Sequence, residues 1–393
     1  MRLKQELDTL AVFRELREDE ILCSLSSYLE CLTDAPEVAA GAYSRFVGEL
    51  YEANGGDLAA YLRGRCEVSE NIYVRTLGAG NTPPAVIRRS LERELAILDR
   101  VAALTPEELT EPMDAGLSLP EFTSEGGEIS SFYAHRTENI GKYGYGKYAR
   151  NRMFYLDGEG QIVPVQSPDG IRLSDLVDYE DERRRIVDNT KALLAGRPAA
   201  NILLTGDAGT GKSSTVKAVG NEFFGEGLRI IEVRKDQLAM IPALLDELAG
   251  NPLKFILFID DLSFAGEDDR FNGLKAVLEG SVAARSHNVV VYATSNRRHL
   301  VRERFADRDG DEVHRNDTLQ EIVSLSNRFG IQITFQRPDK KTYLHIVSQL
   351  AGQKGIVMDD AELAAGAERY ALERGGRSAR LAKQYIEGIL SRE

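Results

Sequence analysis

The chain has 393 residues, of which 42% are hydrophobic and 28% charged, enough length for two or three domains with cores of their own and too much apolar content for a disordered polymer. Its net charge of −13 argues against wholesale wrapping by nucleic acid, although a local basic patch could coexist with an acidic total. It holds no apolar run long enough to span a membrane, and its charged beginning, MRLKQELDTLAVFRELREDE, lacks the basic-then-apolar order of a signal peptide, so a cytoplasmic protein without membrane association is expected.

From about residue 3 to 109, Leu, Ala, Glu and Arg recur at helical spacing, broken at Asn54-Gly55-Gly56, between Gly78 and Pro84, and at Thr105-Pro106. This predicts a mainly helical domain over residues 1–110. Cys23, Cys31 and Cys66 match neither a zinc site nor a disulfide framework and read as small buried hydrophobes. Over 111–170 the composition shifts to Gly, Ser, Tyr and Pro, a connector ending in a short hairpin around Asp157-Gly158. Tyr143, Tyr145, Tyr148 and Tyr155 stand there beside Lys142, Lys147, Arg150 and Arg152. Such residues can stack on and neutralise single-stranded nucleic acid, but packing against a neighbouring surface is the preferred reading.

From residue 171 to 336, strand-like apolar runs alternate with amphipathic ones, the pattern of an α/β fold: a three-layer αβα core with a parallel five-stranded sheet. The strands are expected at 202–205, 228–233, 255–259, 289–293 and 330–335, and the helices near 183–195, 212–224, 236–249 and 272–285. Beyond Arg337-Pro338, residues 337–393 read as three or four helices, a small lid.

Between the first strand and its helix, residues 206–213 read GDAGTGKS, a complete G-x-x-x-x-G-K-[ST] phosphate loop. Glycines at 206, 209 and 211 let the backbone of Gly206, Asp207, Ala208, Gly209, Thr210 and Gly211 curl, so that N–H groups and the following helix N-terminus, at Ser213 and Ser214, point at phosphate oxygens. Lys212 would reach the β- and γ-phosphates, and the Ser213 hydroxyl would ligate Mg²⁺. A nucleoside triphosphate is therefore expected on this loop.

Residues 254–264, KFILFIDDLSF, predict a buried strand ending in two aspartates beside the phosphate-loop strand. Asp260 would hold Mg²⁺ through a water, and Asp261 would orient and activate the attacking water. Residues 288–300, NVVVYATSNRRHL, predict another buried strand between those two, delivering Asn296, or alternatively Thr294, near the γ-phosphate. Arg328, in SLSNRFGI, would project onto the triphosphate of a neighbouring subunit. Arg380, with Arg377 as competitor in GGRSARLAK, would touch the phosphates from the same chain. The scattered histidines His135, His287, His299, His314 and His345 show no metal-site pairing, and the charged segment 302–317 reads as a solvated insertion.

In this order, the phosphate loop, double-aspartate strand, ATSN strand, SNRFG arginine and arginine-bearing lid resemble the AAA+ ATPase superfamily over about residues 171–390. More narrowly, IRLSDLVDYEDERRRIVDNTKALLAG, GDAGTGKSS, FIDDLSF, LKAVLEG, YATSNRRHL and SLSNRFG resemble a bacterial family of ATP-binding proteins known as domain of unknown function 815. The resemblance implies ATP and Mg²⁺ as cofactors, ATP hydrolysis, and self-association in which Arg328 acts between subunits. It places 173–179 along the adenine, with Leu176 and Val177 as apolar contacts, and Asp178 stands where AAA+ proteins usually carry glycine. Many related motors carry glutamate at Asp261, one methylene longer, so slow hydrolysis is expected. The first functional expectation is an ATPase that assembles or remodels a protein partner through its amino-terminal domain. The alternatives are a DNA-acting helicase-loader-like or motor ATPase, disfavoured by the acidic balance and the lack of a recognisable helix-turn-helix, and a slow nucleotide-dependent switch.

Overall fold

The structure, a computed structural model, describes residues 2–34, 36–113, 117–125, 127–262, 278, 287–296 and 328–391. The helix expected at 272–285, apart from Leu278, and the segment 302–317 lie outside the described residues, as do His299 and His314. The chain divides into two compact units, Met1–Arg150 with Gly250–Pro252, and Asn151–Ala249 with Leu253–Glu393. The boundaries expected at 110 and 170 do not coincide with this division, because the stretch between them supplies helices to the first unit and strands to the second.

The first unit is helical. Its helices Glu20–Asp34 and Pro36–Asn54 pack together, burying Leu22, Leu25 and Tyr28 with Tyr43, Phe46 and Leu50, each such side chain contributing ~1.5–3 kcal/mol of transfer free energy. Side-chain caps start the later helices: Asp57 accepts from the Ala60 N–H, Asn71 from Tyr73 and Val74, and Thr105 with Glu108 forms a capping box. Glu94, in Ala85–Ala102, is fully buried, and its carboxylate accepts the backbone N–H groups of Ala11, Val12 and Phe13 at 2.9 to 3.0 Å. Only Cys66 of the three cysteines is buried, and burial pushes its thiol far up; Cys23 is exposed on the outer side of an amphipathic helix, and Cys31 is half-buried at the margin of the core. The basic and aromatic residues of the second half contact one another. Arg136 stacks over Tyr143 at 4.7 Å and pairs with Glu67 at 3.0 Å, which Arg150 also meets at 2.6 Å.

The second unit is built on a seven-stranded sheet rather than the expected five. Its strands are β1 (Met153–Leu156), β2 (Ile162–Pro164), β3 (Ile202–Gly206), β4 (Leu228–Glu232), β5 (Lys254–Ile259), β6 (Val289–Ser295) and β7 (Ile331–Phe335), in the order β2-β1-β4-β5-β6-β3-β7. The two extra strands are the hairpin around Asp157-Gly158. β1 joins β4 in parallel, pairing Met153 with Ile230, and so covers an edge that would otherwise be open, while β2 returns antiparallel. All other pairs are parallel. β6 lies between β3 and β5 as expected, which makes β5 one strand removed from the phosphate-loop strand rather than its neighbour.

The central strands are buried almost continuously, as expected of a parallel sheet covered on both faces. Helices Glu180–Leu194, Lys212–Glu222 and Ile241–Ala249 connect them. The buried Tyr292 hydroxyl meets Thr190 at 2.8 Å and Asn189 at 3.1 Å, tying β6 to the first of these helices. Three lid helices follow, Lys340–Gln353, Asp360–Glu373 and Ala379–Leu390, with their own core of Tyr343, Ile346, Val347, Leu363, Ala367 and Ile386. Among the described residues, no helix is long and apolar enough to cross a membrane.

Candidate nucleotide-phosphate site

Parallel strands β3, β5 and β6 all deliver their carboxyl ends to one edge of the sheet, where α/β folds collect functional groups. β3 runs into the phosphate loop, whose Gly206, Gly209 and Gly211 hold φ of 132°, 79° and 97°. A Cβ on Gly206 would sit 2.0 Å from the Phe335 carbonyl oxygen, so only glycine lets the end of β7 approach this closely. Thr210 is buried and donates to the Asp207 carbonyl at 2.9 Å, closing the turn. Asp207 and Ala208 are exposed at the tip, and Ser213 and Ser214 follow Lys212 into the helix, half-buried.

Lys212 is buried, and its ammonium donates to the carbonyls of Gly206 and Asp207, both at 2.8 Å, and to Asn296 Oδ1 at 3.1 Å. Desolvation pushes its pKa down, with the carboxylates of Asp207, Asp260 and Asp261 pulling the other way. Next to it, Asp260 Oδ1 accepts from the Ser213 hydroxyl at 2.6 Å, the Thr294 hydroxyl at 2.5 Å and the Asp261 N–H at 3.1 Å. Asp261 holds left-handed backbone, φ 53°, which turns the chain just after β5. Its carboxylate accepts from Asn296 Nδ2 at 2.8 Å and lies 3.5 Å from Lys235 Nζ.

The two alternatives read on β6 therefore have different places. Asn296 accepts from Lys212 and donates to Asp261, while the Thr294 hydroxyl donates to Asp260 and accepts the Asp261 backbone N–H at 2.9 Å. The two lid arginines also differ in place. Arg377 is held by both carboxylate oxygens of Glu368, at 2.8 and 2.7 Å, whereas the Arg380 backbone N–H donates to the Gly209 carbonyl at 3.0 Å and its exposed side chain begins beside the loop. Arg328 is half-buried just before β7. Leu176 is half-buried, and Val177 packs on the lid core.

Lys235 was not singled out from sequence. Its signal is positional: it follows β4 at the same edge of the sheet, one strand from Asp261. Among the described residues, no cluster of three or more His, Cys, Asp or Glu side chains could hold a metal by itself. Ser213 and Asp260 instead supply two hard oxygen donors already in contact. That suits Mg²⁺, which binds few protein groups and completes its shell with phosphates and water.

The fold and this edge define an α/β protein with a phosphate loop at the carboxyl end of a central parallel strand. Residues 149–393 match the family described as "Protein of unknown function (DUF815)", and the chain belongs to that family. A search of curated proteins returns no match. Among solved structures, the chain is similar to the RuvB Holliday junction branch migration motor of Thermotoga maritima, with 17% identity and a TM-score of 0.38 over 56% of this chain and 64% of that one. A lysine-to-arginine mutant of the same motor gives 16%, 0.38, 56% and 65%. The matches span less than two thirds of the RuvB chains.

Proposed function

We propose that this protein binds ATP with Mg²⁺ and hydrolyses it slowly to ADP and phosphate, using the cycle to assemble or remodel a protein partner. The observation that carries this reading is the convergence of Ser213, Asp260, Asp261 and Asn296 around the Lys212 end of the phosphate loop, with each side chain bonded to another of the set or to the loop. Lys212 exchanges its two carbonyl contacts for phosphate oxygens, gaining charge-assisted bonds roughly twice as strong as neutral ones. Ser213 and Asp260 would hold Mg²⁺, which neutralises charge on the phosphates. Asp261 orients water for attack, and Asn296, bonded to both Asp261 and Lys212, keeps the carboxylate facing the phosphate end. The Asp261 carboxylate is occupied by Asn296 and Lys235, and freeing it is the step that makes turnover slow.

Arg380 lies on the lid helix that bonds Gly209, and it follows the phosphates from the same chain. Arg328 acts on the triphosphate of a second copy, so the active form is an oligomer, and the helical unit recognises the partner. The test is Asp261→Asn in purified protein. It should retain ATP affinity within about threefold while turnover falls about a hundredfold or more. Equal loss of binding and turnover would remove Asp261 from the chemistry.

A further inference from the structure

In the helical unit, helix Leu58–Val68 packs on helix Ile129–Glu138, and a row of side chains runs along their seam. Arg63 and Glu67 stand four residues apart on the first helix, Phe132 and Arg136 four apart on the second, so each pair shares one face. The Arg63 guanidinium lies 5.3 Å from the centre of the Phe132 ring and that of Arg136 lies 5.6 Å from it, within cation–π range. Arg136 also lies over Tyr143, at 4.7 Å. Arg150 completes the row, its Nε donating to Glu67 Oε2 at 2.6 Å. A Cβ added to Gly64 would sit 2.5 Å from Arg150 Nη2, so glycine, a poor helix former, leaves in mid-helix the room that this guanidinium takes.

The charges along this seam do not balance. Three guanidinium groups meet one carboxylate, since Glu67 pairs with both Arg136, at 3.0 Å, and Arg150, at 2.6 Å. Arg63 has no acceptor among the described residues, and its Nε is shielded from solvent. Arginine keeps its charge at any physiological pH, so deprotonation does not relieve the excess. Burial pushes the Arg136 pKa down, Glu67 and Tyr143 raise it, and Arg150, a like charge, lowers it again. The row reaches solvent at Arg150, whose side chain is 53% exposed. What it lacks is acceptors, and those would come from outside.

We propose that this seam docks an acidic segment of a protein partner, whose clustered carboxylates receive the guanidinium forks of Arg63 and Arg150. A planar fork matches a carboxylate two bonds at a time. Nucleic acid fits less well, because single strands are held by stacking bases on open aromatic faces, and here guanidinium groups already lie over Phe132 and Tyr143. Residues 1–150 also carry more carboxylates than cations, so a long polyanion would be repelled outside the seam, whereas a short acidic segment would not. The inference gives chemistry to the partner surface that the proposed function assigns to the helical unit. It is tested without nucleotide, so it can fail while ATP binding stands.

The test is the binding of a short fluorescein-labelled polyglutamate peptide to the full-length protein, by fluorescence anisotropy at low salt, beside an oligothymidylate of equal length. Wild type should bind the peptide more tightly than the oligonucleotide. Arg63→Gln should weaken peptide binding about fivefold, the upper worth of one partly exposed charge pair. Arg88→Gln removes an exposed arginine on helix Ala85–Ala102 that makes none of these contacts, and should change binding by less than about 1.5-fold. Both variants should unfold at the wild-type midpoint. Glu67→Gln removes the internal competitor and should tighten binding about threefold, which the loss of a purely structural group would not do. Should that variant fail to fold, the comparison of Arg63→Gln with Arg88→Gln decides alone. Absence of peptide binding, equal losses in the two arginine variants, or weaker binding by a folded Glu67→Gln overturns the seam as a docking site. An oligonucleotide that binds more tightly than the peptide and is released by Arg63→Gln overturns the protein partner and gives the seam to nucleic acid.

Discussion

Glu94 in the helical unit and Asp260 at the sheet edge both gather several donors on one carboxylate, and the kind of donor separates their roles. Glu94 is sealed from solvent and satisfied by three consecutive backbone N–H groups, which cannot leave without unfolding the turn at 11–13. Asp260 is exposed, and two of its three donors are hydroxyls, of Ser213 and Thr294, which rotate freely to new acceptors. The first arrangement is a structural clamp. The second is provisional, because a metal ion can take the place of either hydroxyl on the carboxylate, and a freed hydroxyl can donate to a phosphate oxygen instead. The same contrast holds for Lys212, whose carbonyl partners are weaker than the phosphate oxygens that would displace them.

Removing a provisional group should leave the fold intact and erase function. Lys212→Ala is expected to abolish ATP binding, a loss of at least a hundredfold by calorimetry, with an unfolding midpoint close to wild type. Retained affinity would show that Lys212 is a structural lysine like any other buried cation. Arg328→Ala extends the contrast to the group proposed to act from a second copy. Turnover of the assembled protein should fall about a thousandfold, within the range for an arginine acting in trans, while ATP affinity at monomer concentrations stays unchanged. Light scattering that finds monomers at every concentration, with and without ATP, would end this role.

Removing the clamp should do the reverse. Glu94→Ala leaves up to three buried N–H groups without an acceptor, a cost of ~2–4 kcal/mol, visible as a lower denaturant midpoint for the helical unit. ATP affinity should be unchanged, since Glu94 has no part in the phosphate loop. A variant that loses ATP binding while its stability holds would break the comparison.

The two carboxylates also differ in how far they could be read from the chain. Asp260 was legible because five apolar residues precede it and the phosphate loop lies upstream, a local pattern with one common use. Glu94 carried a weaker signal. It stands three residues after Leu91 and four before Leu98, on the face those residues bury, yet a lone glutamate in a charged helix reads as solvated. The hairpin strands β1 and β2 escaped assignment to the sheet because they are four and three residues long, in a stretch rich in Gly and Tyr, and their pairing with β4 is a tertiary fact. For the same reason sequence preferred Arg380 but kept Arg377 as its competitor, since what separates them is Glu368, one lid helix away. Asp178 was marked in sequence only as a departure from glycine, and its backbone supplies the physical content, a left-handed residue that aspartate tolerates better than most.

The smallest expected effect is the one that tests most directly whether Lys212 is provisional. Desolvation holds its pKa below 10.5 in the nucleotide-free protein. A depressed lysine deprotonates earlier as pH rises, and only the protonated form attracts the phosphates, so ATP affinity should begin to fall below pH 10.5. Bound triphosphate favours the ammonium, so binding in this range should take up a proton, and calorimetry in buffers of different ionisation enthalpy would register it. A several-fold loss of affinity already below pH 10.5, absent for Lys212→Arg because a guanidinium stays charged there, would identify the titrating group. Affinity that is flat over that range would mean that the ammonium keeps its proton without the ligand. The carbonyls of Gly206 and Asp207 would then hold it as firmly as the backbone holds Glu94.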